Sequence, residues 1–159
     1  MKISSKKQRI IHKLLIQAIE VHNKDSDIAI PLYQHILDLN PNEPDALNLL
    51  GMIYFNKYEL NKALKLHLAA VKNKSGVADF HNNLGNVYDQ LGMLDNALEQ
   101  FNLALHIDPN YVAAISNLGN VYKKQELLEK ALQQYQKALS LNPNLSEATR
   151  NLANLLWQL

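Results

Sequence analysis

The 159-residue chain lacks cysteine and has only five glycines, five prolines and one tryptophan. The absence of cysteine excludes disulfide bonds, zinc sites with cysteine ligands and thiol catalysis. Lysine and arginine number 16 against 15 aspartates and glutamates, so the net charge of +1 provides no overall field that would attract nucleic acid or an anionic membrane. No stretch approaches the ~20 uninterrupted apolar residues of a membrane span. Composition therefore predicts a cytoplasmic protein, with neither nucleic acid nor membrane as a partner.

The N-terminus joins a basic segment, residues 1–9, to an apolar stretch that begins at Ile10, a combination that superficially suggests a secretory signal. Polar residues such as Lys13 and Gln17 interrupt that stretch, and no small-residue cleavage site follows. We therefore expect a basic tail followed by an amphipathic helix.

Three of the few glycines are regularly placed: Gly51, Gly85 and Gly119 lie 34 residues apart, each inside a Leu-Gly-x-x-Tyr frame. Other positions recur with the same period, namely Ala63, Ala97 and Ala131; His67, Phe101 and Tyr135; Ala70, Ala104 and Ala138; and Ser75, Pro109 and Pro143. A fixed period of this size indicates an array of one supersecondary unit rather than a single globular core. Function is then expected on a surface and not in a catalytic pocket.

This pattern resembles the tetratricopeptide repeat, and the resemblance covers about residues 10 to 159. It implies an all-α fold, a right-handed superhelix (solenoid) of about four helix-turn-helix repeats followed by a C-terminal helix. The implied segments are the basic tail 1–9, a degenerate first repeat 10–43, three further repeats 44–77, 78–111 and 112–145, and a capping or truncated first helix 146–159.

Two features of the repeats bear on packing. Glycine inside a helix costs about 1 kcal/mol relative to alanine, so the recurrence of Gly85 at one phase indicates close approach of a partner helix. In the repeat 44–77, Ser75 and Gly76 replace the terminal proline, so we expect a looser junction there.

In the resembled family the first helix of each repeat lines a concave surface, and asparagines recur at that surface here. Asn83, Asn117 and Asn151 lie 34 residues apart, and their carboxamides offer both donors and acceptors to the backbone of an extended peptide. We therefore expect a non-catalytic protein-protein interaction scaffold that binds an extended peptide or a partner helix. The candidate groove residues are Asn48, Met52, Phe55, Asn82, Asn83, Asn86, Asp89, Asn117, Asn120, Lys123, Asn151 and Asn154.

Other interpretations stay open. Repeat duplication alone would reproduce the asparagines, which would then be structural. The series also resembles the asparagine ladder of O-linked N-acetylglucosamine transferases, which implies a substrate-recruiting arm of a larger enzyme whose catalytic domain lies outside this chain. The carboxylate clamp that holds chaperone C-termini in this family needs cations where this chain has Asn48, Ala113 and Asn117 or, one repeat later, Asn82, Glu147 and Asn151, so that ligand is not expected. Finally, the apolar C-terminal residues Leu156, Trp157 and Leu159 suggest self-association as a homo-oligomer.

The sequence contains few candidate catalytic groups. The six histidines form no i, i+4 pair and no glutamate-flanked zinc motif, and no glycine loop for phosphate is present. We therefore expect no enzyme activity, no cofactor and no metal.

Overall fold

The computed structural model describes residues 5–157, and this part of the chain contains nine α-helices and no strand, which confirms the predicted all-α fold class. The helices are α1 (Ser5–His22), α2 (Ser26–Leu39), α3 (Pro44–Asn56), α4 (Leu60–Asn73), α5 (Ala78–Gln90), α6 (Leu94–Ile107), α7 (Val112–Lys124), α8 (Leu128–Leu141) and α9 (Ser146–Leu156). The chain divides into two compact units, α1–α4 and α5–α9. The boundary falls between Ser75 and Gly76, where the repeat's proline is missing.

Within each unit the helices pack in sequence. The four pairs α1 with α2, α3 with α4, α5 with α6, and α7 with α8 make the most extensive contacts, and α2 with α3, α6 with α7, and α8 with α9 join successive pairs. In the second unit α5 also contacts α7, so first helices of neighbouring repeats lie side by side there. Residues 5–9, which the sequence assigned to a basic tail, form the first turns of α1.

The turn between the two helices of a repeat has the same backbone path three times. Tyr58, Gly92 and Glu126, 34 residues apart, have φ values of 59°, 75° and 60°. Only glycine adopts this left-handed conformation without steric cost. Because two larger residues occupy the same conformation, the packing of the helices on either side, and not the glycine, determines this turn.

Each recurring glycine lies buried in a first helix, directly against the ring of the following helix. A Cβ built on the glycine would come too close to that ring: 2.8 Å from His67 Nε2 at Gly51, 2.6 Å from Phe101 Cε1 at Gly85, and 2.7 Å from Tyr135 Cε1 at Gly119. These rings are at most 1% exposed, so they have no space to move away. The close approach predicted from the sequence is confirmed.

In the first unit the ring is a histidine, and it is neutral. His67 Nδ1 lies 3.0 Å from Asn48 Oδ1, and both side chains are buried. Burial lowers the pKa of His67 from 6.5 to about 4, because the charged imidazolium would lose its hydration there. The neutral ring therefore donates one hydrogen bond to Asn48 and otherwise packs as an aromatic residue.

We expect Gly85→Ala to lower the free energy of unfolding by about 1–2 kcal/mol. A Cβ 2.6 Å from an enclosed ring places overpacking in the upper part of its range, at about 2–3 kcal/mol, and improved helix propensity returns about 1 kcal/mol. Urea denaturation measures the change. Gly76→Ala is the matched control, because a Cβ there meets nothing within 4 Å, and it should change stability by less than about 0.5 kcal/mol. Phe101→Leu should cost less in the Gly85→Ala background than alone. Equal stability of Gly85→Ala and wild type would contradict the packing argument.

We expect His67 to make stability depend on pH below its ordinary pKa. Above pH 6.5 the histidine is neutral in both states; as the pH falls toward 4, only the unfolded chain takes up the proton, and the free energy of unfolding drops by ~3 kcal/mol. His67→Phe introduces a phenyl ring, which is the ring that Phe101 provides in the next repeat. This variant should lose the pH-dependent part of the free energy of unfolding that His67 contributes. The measurement is the difference between the two proteins in urea denaturation followed by circular dichroism at several pH values. Parallel pH profiles would refute the assignment.

Candidate functional site

The candidate groove residues fall in both units. Those of the first unit, Asn48, Met52 and Phe55, lie on α3. The others lie on α5, α7 and α9 of the second unit, and five of them are here named the amide cluster: Asn82, Asn86, Asn117, Asn120 and Asn151.

The first-unit residues offer little polar surface. Asn48 is only 6% exposed; its Oδ1 faces His67, and its Nδ2 lies 3.9 Å from Met52 Sδ. Met52 and Phe55 are half-buried. The structure thus gives Asn48 a role in joining α3 to α4, and the sequence, which placed it in the groove, did not indicate its burial.

In the second unit Asn117 joins α7 to α5. Its Nδ2 donates to Asn82 Oδ1 at 3.0 Å and to Asn86 Oδ1 at 2.9 Å. Asn82 is buried, whereas Asn86 and Asn117 are half-buried and reach the surface. Both N–H groups of Asn117 are thereby used, and this side chain is held in one orientation.

The same arrangement recurs one repeat later, between α9 and α7. Asn151 Nδ2 donates to Asn120 Oδ1 at 2.8 Å, and Asn120 Nδ2 lies 3.4 Å from Glu147 Oε1. The Tyr135 hydroxyl from α8 also donates to Asn120 Oδ1, at 2.8 Å. Burial, and then the charge of Glu147, raise the pKa of Tyr135 to about 12, so this hydroxyl keeps its proton at neutral pH.

Asn117 and Asn151 therefore serve the same structural purpose: each donates to the asparagine that follows the glycine of the preceding repeat, 31 residues earlier in both cases. This gives the structural interpretation of the ladder a physical basis. It does not use every polar atom of the cluster. Among the described residues, none accepts a hydrogen bond from Asn86 Nδ2 and none donates one to Asn117 Oδ1. Asn83, the first asparagine of the ladder, is half-buried.

Charged side chains lie at one end of the amide cluster. Lys124 Nζ is 2.7 Å from both carboxylate oxygens of Asp89, which joins α7 to α5. Lys123 is half-buried, and within residues 5–157 it forms no ion pair. An open concavity of about 440 Å³ forms here; its lining residues are Asp89, Gln90, Asn120, Lys123, Lys124, Glu147 and Asn151.

Sequence reasoning missed Lys124, Gln90 and the hydroxyl of Tyr135 as parts of this surface. A signal for Lys124 existed, because it stands 35 residues after Asp89, one period and one residue away, with the opposite charge. For Tyr135 the signal was the choice of tyrosine where the preceding repeat has Phe101, since only tyrosine carries a hydroxyl.

The remaining predicted residues lie at the end of α9. Asn154 is exposed, and so are Leu156 and Trp157, at 57% and 91%; Leu159 lies outside the described residues. Leu155 faces the other way and is buried in the core with Tyr135. The apolar exposed pair agrees with what self-association would need, and self-association itself stays a prediction.

Residues 5–157 contain neither a metal-binding cluster nor a membrane-spanning helix. No group of three or more histidine, aspartate or glutamate side chains is placed to hold a metal ion there. None of the described helices has the length and apolar character needed to cross a bilayer.

Solved structures show where this architecture occurs elsewhere. MamA is 24% identical, with 87% of this chain and 81% of that chain covered and a TM-score of 0.78. The pilF protein of Pseudomonas aeruginosa is 19% identical, covering 97% and 71%, with a TM-score of 0.87. The first tetratricopeptide domain of Spaghetti (RPAP3), bound to the HSP90 peptide SRMEEVD, is 24% identical, covering 73% and 92%, with a TM-score of 0.70. Identities this low establish the fold alone.

Family models assign the sequence more directly. One tetratricopeptide-repeat model matches residues 78–111 and 112–145, and a second matches residues 32–65, together more than half of the chain. Comparison with curated protein sequences yields no significant match. The matched segments contain all three Leu-Gly-x-x-Tyr frames and extend over α3, α5, α6, α7 and α8. The chain therefore belongs to the tetratricopeptide-repeat family.

Proposed function

We propose that this chain is a non-catalytic protein-interaction scaffold and that it holds an extended peptide against the amide cluster of the second unit. The observation that carries the proposal is the set of amide atoms left over after the internal hydrogen bonds are made. Asn86 keeps two N–H donors, and Asn117 keeps a carbonyl acceptor. Two other members of the amide cluster, Asn120 and Asn151, line the concavity of about 440 Å³.

This set of atoms suits a peptide backbone. An extended peptide presents N–H donors and C=O acceptors along its length, and neighbouring amides of opposite polarity can bind both kinds. Each such hydrogen bond contributes about 0.5–1.5 kcal/mol net, so a few of them give modest affinity that depends little on peptide sequence. The side chains beside the cluster would supply the specificity.

The internal hydrogen bonds favour binding as well as folding. Asn117 is fixed by two bonds to α5, and Asn120 accepts from both Asn151 and Tyr135. Side chains that are ordered before the ligand arrives lose less conformational entropy when it binds. The structural and the peptide-binding interpretations of the asparagines are thus compatible, since different atoms of one carboxamide serve each role.

The peptide-bound Spaghetti domain supports a peptide as the class of ligand, because the same fold holds one there. Its HSP90 peptide is not expected to be the ligand of this chain, since the positions that need cations carry Ala113 and Glu147 among others. The interpretation as a substrate-recruiting arm of a larger glycosyltransferase or other enzyme stays a prediction; no contact among the described residues favours it over an independent scaffold.

We expect Asn86→Asp to separate binding from stability. The carboxylate still accepts from Asn117 Nδ2 but no longer donates to a ligand, so affinity should fall about fivefold to tenfold while the free energy of unfolding changes by less than about 0.5 kcal/mol. The probe is the 12-residue peptide most enriched in a display selection on the full chain, measured by fluorescence anisotropy. The loss should persist at high salt, because missing donors, unlike a long-range charge, are not screened.

Asn102→Asp is the matched control, since Asn102 is exposed on α6, away from the cluster, and the substitution makes the same change in charge. It should leave affinity within twofold of wild type. If no peptide is enriched, or if Asn86→Asp binds the selected peptide as tightly as Asn102→Asp does, the proposal is wrong.

A further inference from the structure

The concavity at the end of the amide cluster contains two adjacent lysines in different electrostatic situations. Lys124 is neutralised by Asp89, with both carboxylate oxygens at 2.7 Å. Lys123 is equally part of the lining but forms no ion pair within the described residues. Both lie in the last turn of α7, where the helix dipole favours a cation, and that accounts for a positive residue at this point of the helix. It does not account for an unpaired ammonium group in a concave surface.

Two other side chains of the concavity, Asp89 and Asn120, are already engaged. The carboxylate of Asp89 is used by Lys124, and Asn120 accepts two hydrogen bonds. Asn151 donates one of its two N–H groups to Asn120, and Gln90 makes no hydrogen bond within the described residues. The unused N–H groups of Lys123, Asn151 and Gln90 outnumber the unused neutral acceptors, which are the side-chain oxygens of Asn151 and Gln90. Glu147, which is exposed and 3.4 Å from Asn120 Nδ2, is the remaining acid.

We propose that this concavity binds a carboxylate of the peptide ligand, with Lys123 as its ion-pair partner and with the amides of Asn151 and Gln90 as additional donors. A carboxylate accepts several hydrogen bonds at once, which matches an ammonium group beside two amides. The inference rests on the proposed function, because the carboxylate is carried by a peptide that lies on the amide cluster. It also gives the bound peptide a direction: the acidic part of the peptide lies toward the C-terminal ends of α5 and α7.

The carboxylate can come from an acidic side chain or from the C-terminus of the peptide. Three synthetic versions of the selected 12-residue peptide separate the two: the parent, one with each Asp and Glu changed to Asn and Gln, and one with an amidated C-terminus. We expect one of the two altered peptides to bind the full chain about fivefold to tenfold more weakly than the parent, since a partly exposed charge-assisted contact contributes about this much. The weaker one identifies the source.

Lys123→Gln tests the partner. The variant should bind the parent peptide about fivefold to tenfold more weakly than wild type does. It should bind the altered peptide that lacks the relevant carboxylate within twofold of wild type, so that the two changes are not additive in a double-mutant cycle. Lys137→Gln is the matched control, because Lys137 is exposed on α8 outside the concavity, and it should affect neither peptide. Circular dichroism of each variant establishes that it is folded.

We also expect one substitution to increase the affinity for the parent peptide. Asp89→Asn removes the carboxylate that occupies Lys124 and leaves two cations in the concavity, so the parent peptide should bind about threefold to fivefold more tightly, and more so at low salt. If selected peptides lose affinity with Asn86→Asp but respond to neither carboxylate removal nor Lys123→Gln, the carboxylate site is wrong and the scaffold proposal stands. If Asn86→Asp has no effect either, both proposals fail.

Discussion

Three of the four repeats depend on the contact between a glycine in the first helix and an aromatic ring in the second. The ring fills the space that a Cβ would occupy, so the two helices approach more closely than alanine would permit, and the ring is completely enclosed. In the second unit this contact fixes the relative position of α5 and α6 at Gly85 and of α7 and α8 at Gly119. The residue after each glycine, Asn86 or Asn120, is thereby presented toward the next repeat, where the following asparagine donates to it.

The identity of the ring then modifies each repeat without changing its fold. Phe101 only packs, Tyr135 extends a hydroxyl to Asn120, and His67 adds a buried polar pair with Asn48. The hydroxyl of Tyr135 orders an asparagine of the candidate site, whereas burial of His67 lowers its pKa and keeps its ring neutral beside Asn48. The same position therefore packs, orders a site residue or holds a buried polar pair, according to the ring that occupies it.

The asparagines show how one side chain can serve stability and binding together. A carboxamide has donors on one atom and an acceptor on the other, so Asn117 can use its Nδ2 between helices and keep its Oδ1 for a ligand. Replacing such an asparagine with alanine removes its contributions to stability and to binding at the same time. Isosteric exchanges between asparagine and aspartate distinguish them, because they change one atom of the pair.

The fold follows from the sequence alone: a 34-residue period, alanines at fixed positions and a glycine at one phase are local properties of each helix, and they recur wherever the repeat does. The sequence also indicated which helix faces carry asparagine. It could not indicate that Asn48 and Asn82 are buried, that Asn117 is engaged by α5, or that Asp89 neutralises Lys124 and leaves Lys123 unpaired. Those properties depend on contacts between residues 19 to 35 positions apart, on different helices. Only the tertiary packing of those helices decides which polar atoms are used inside the protein and which stay available to a partner.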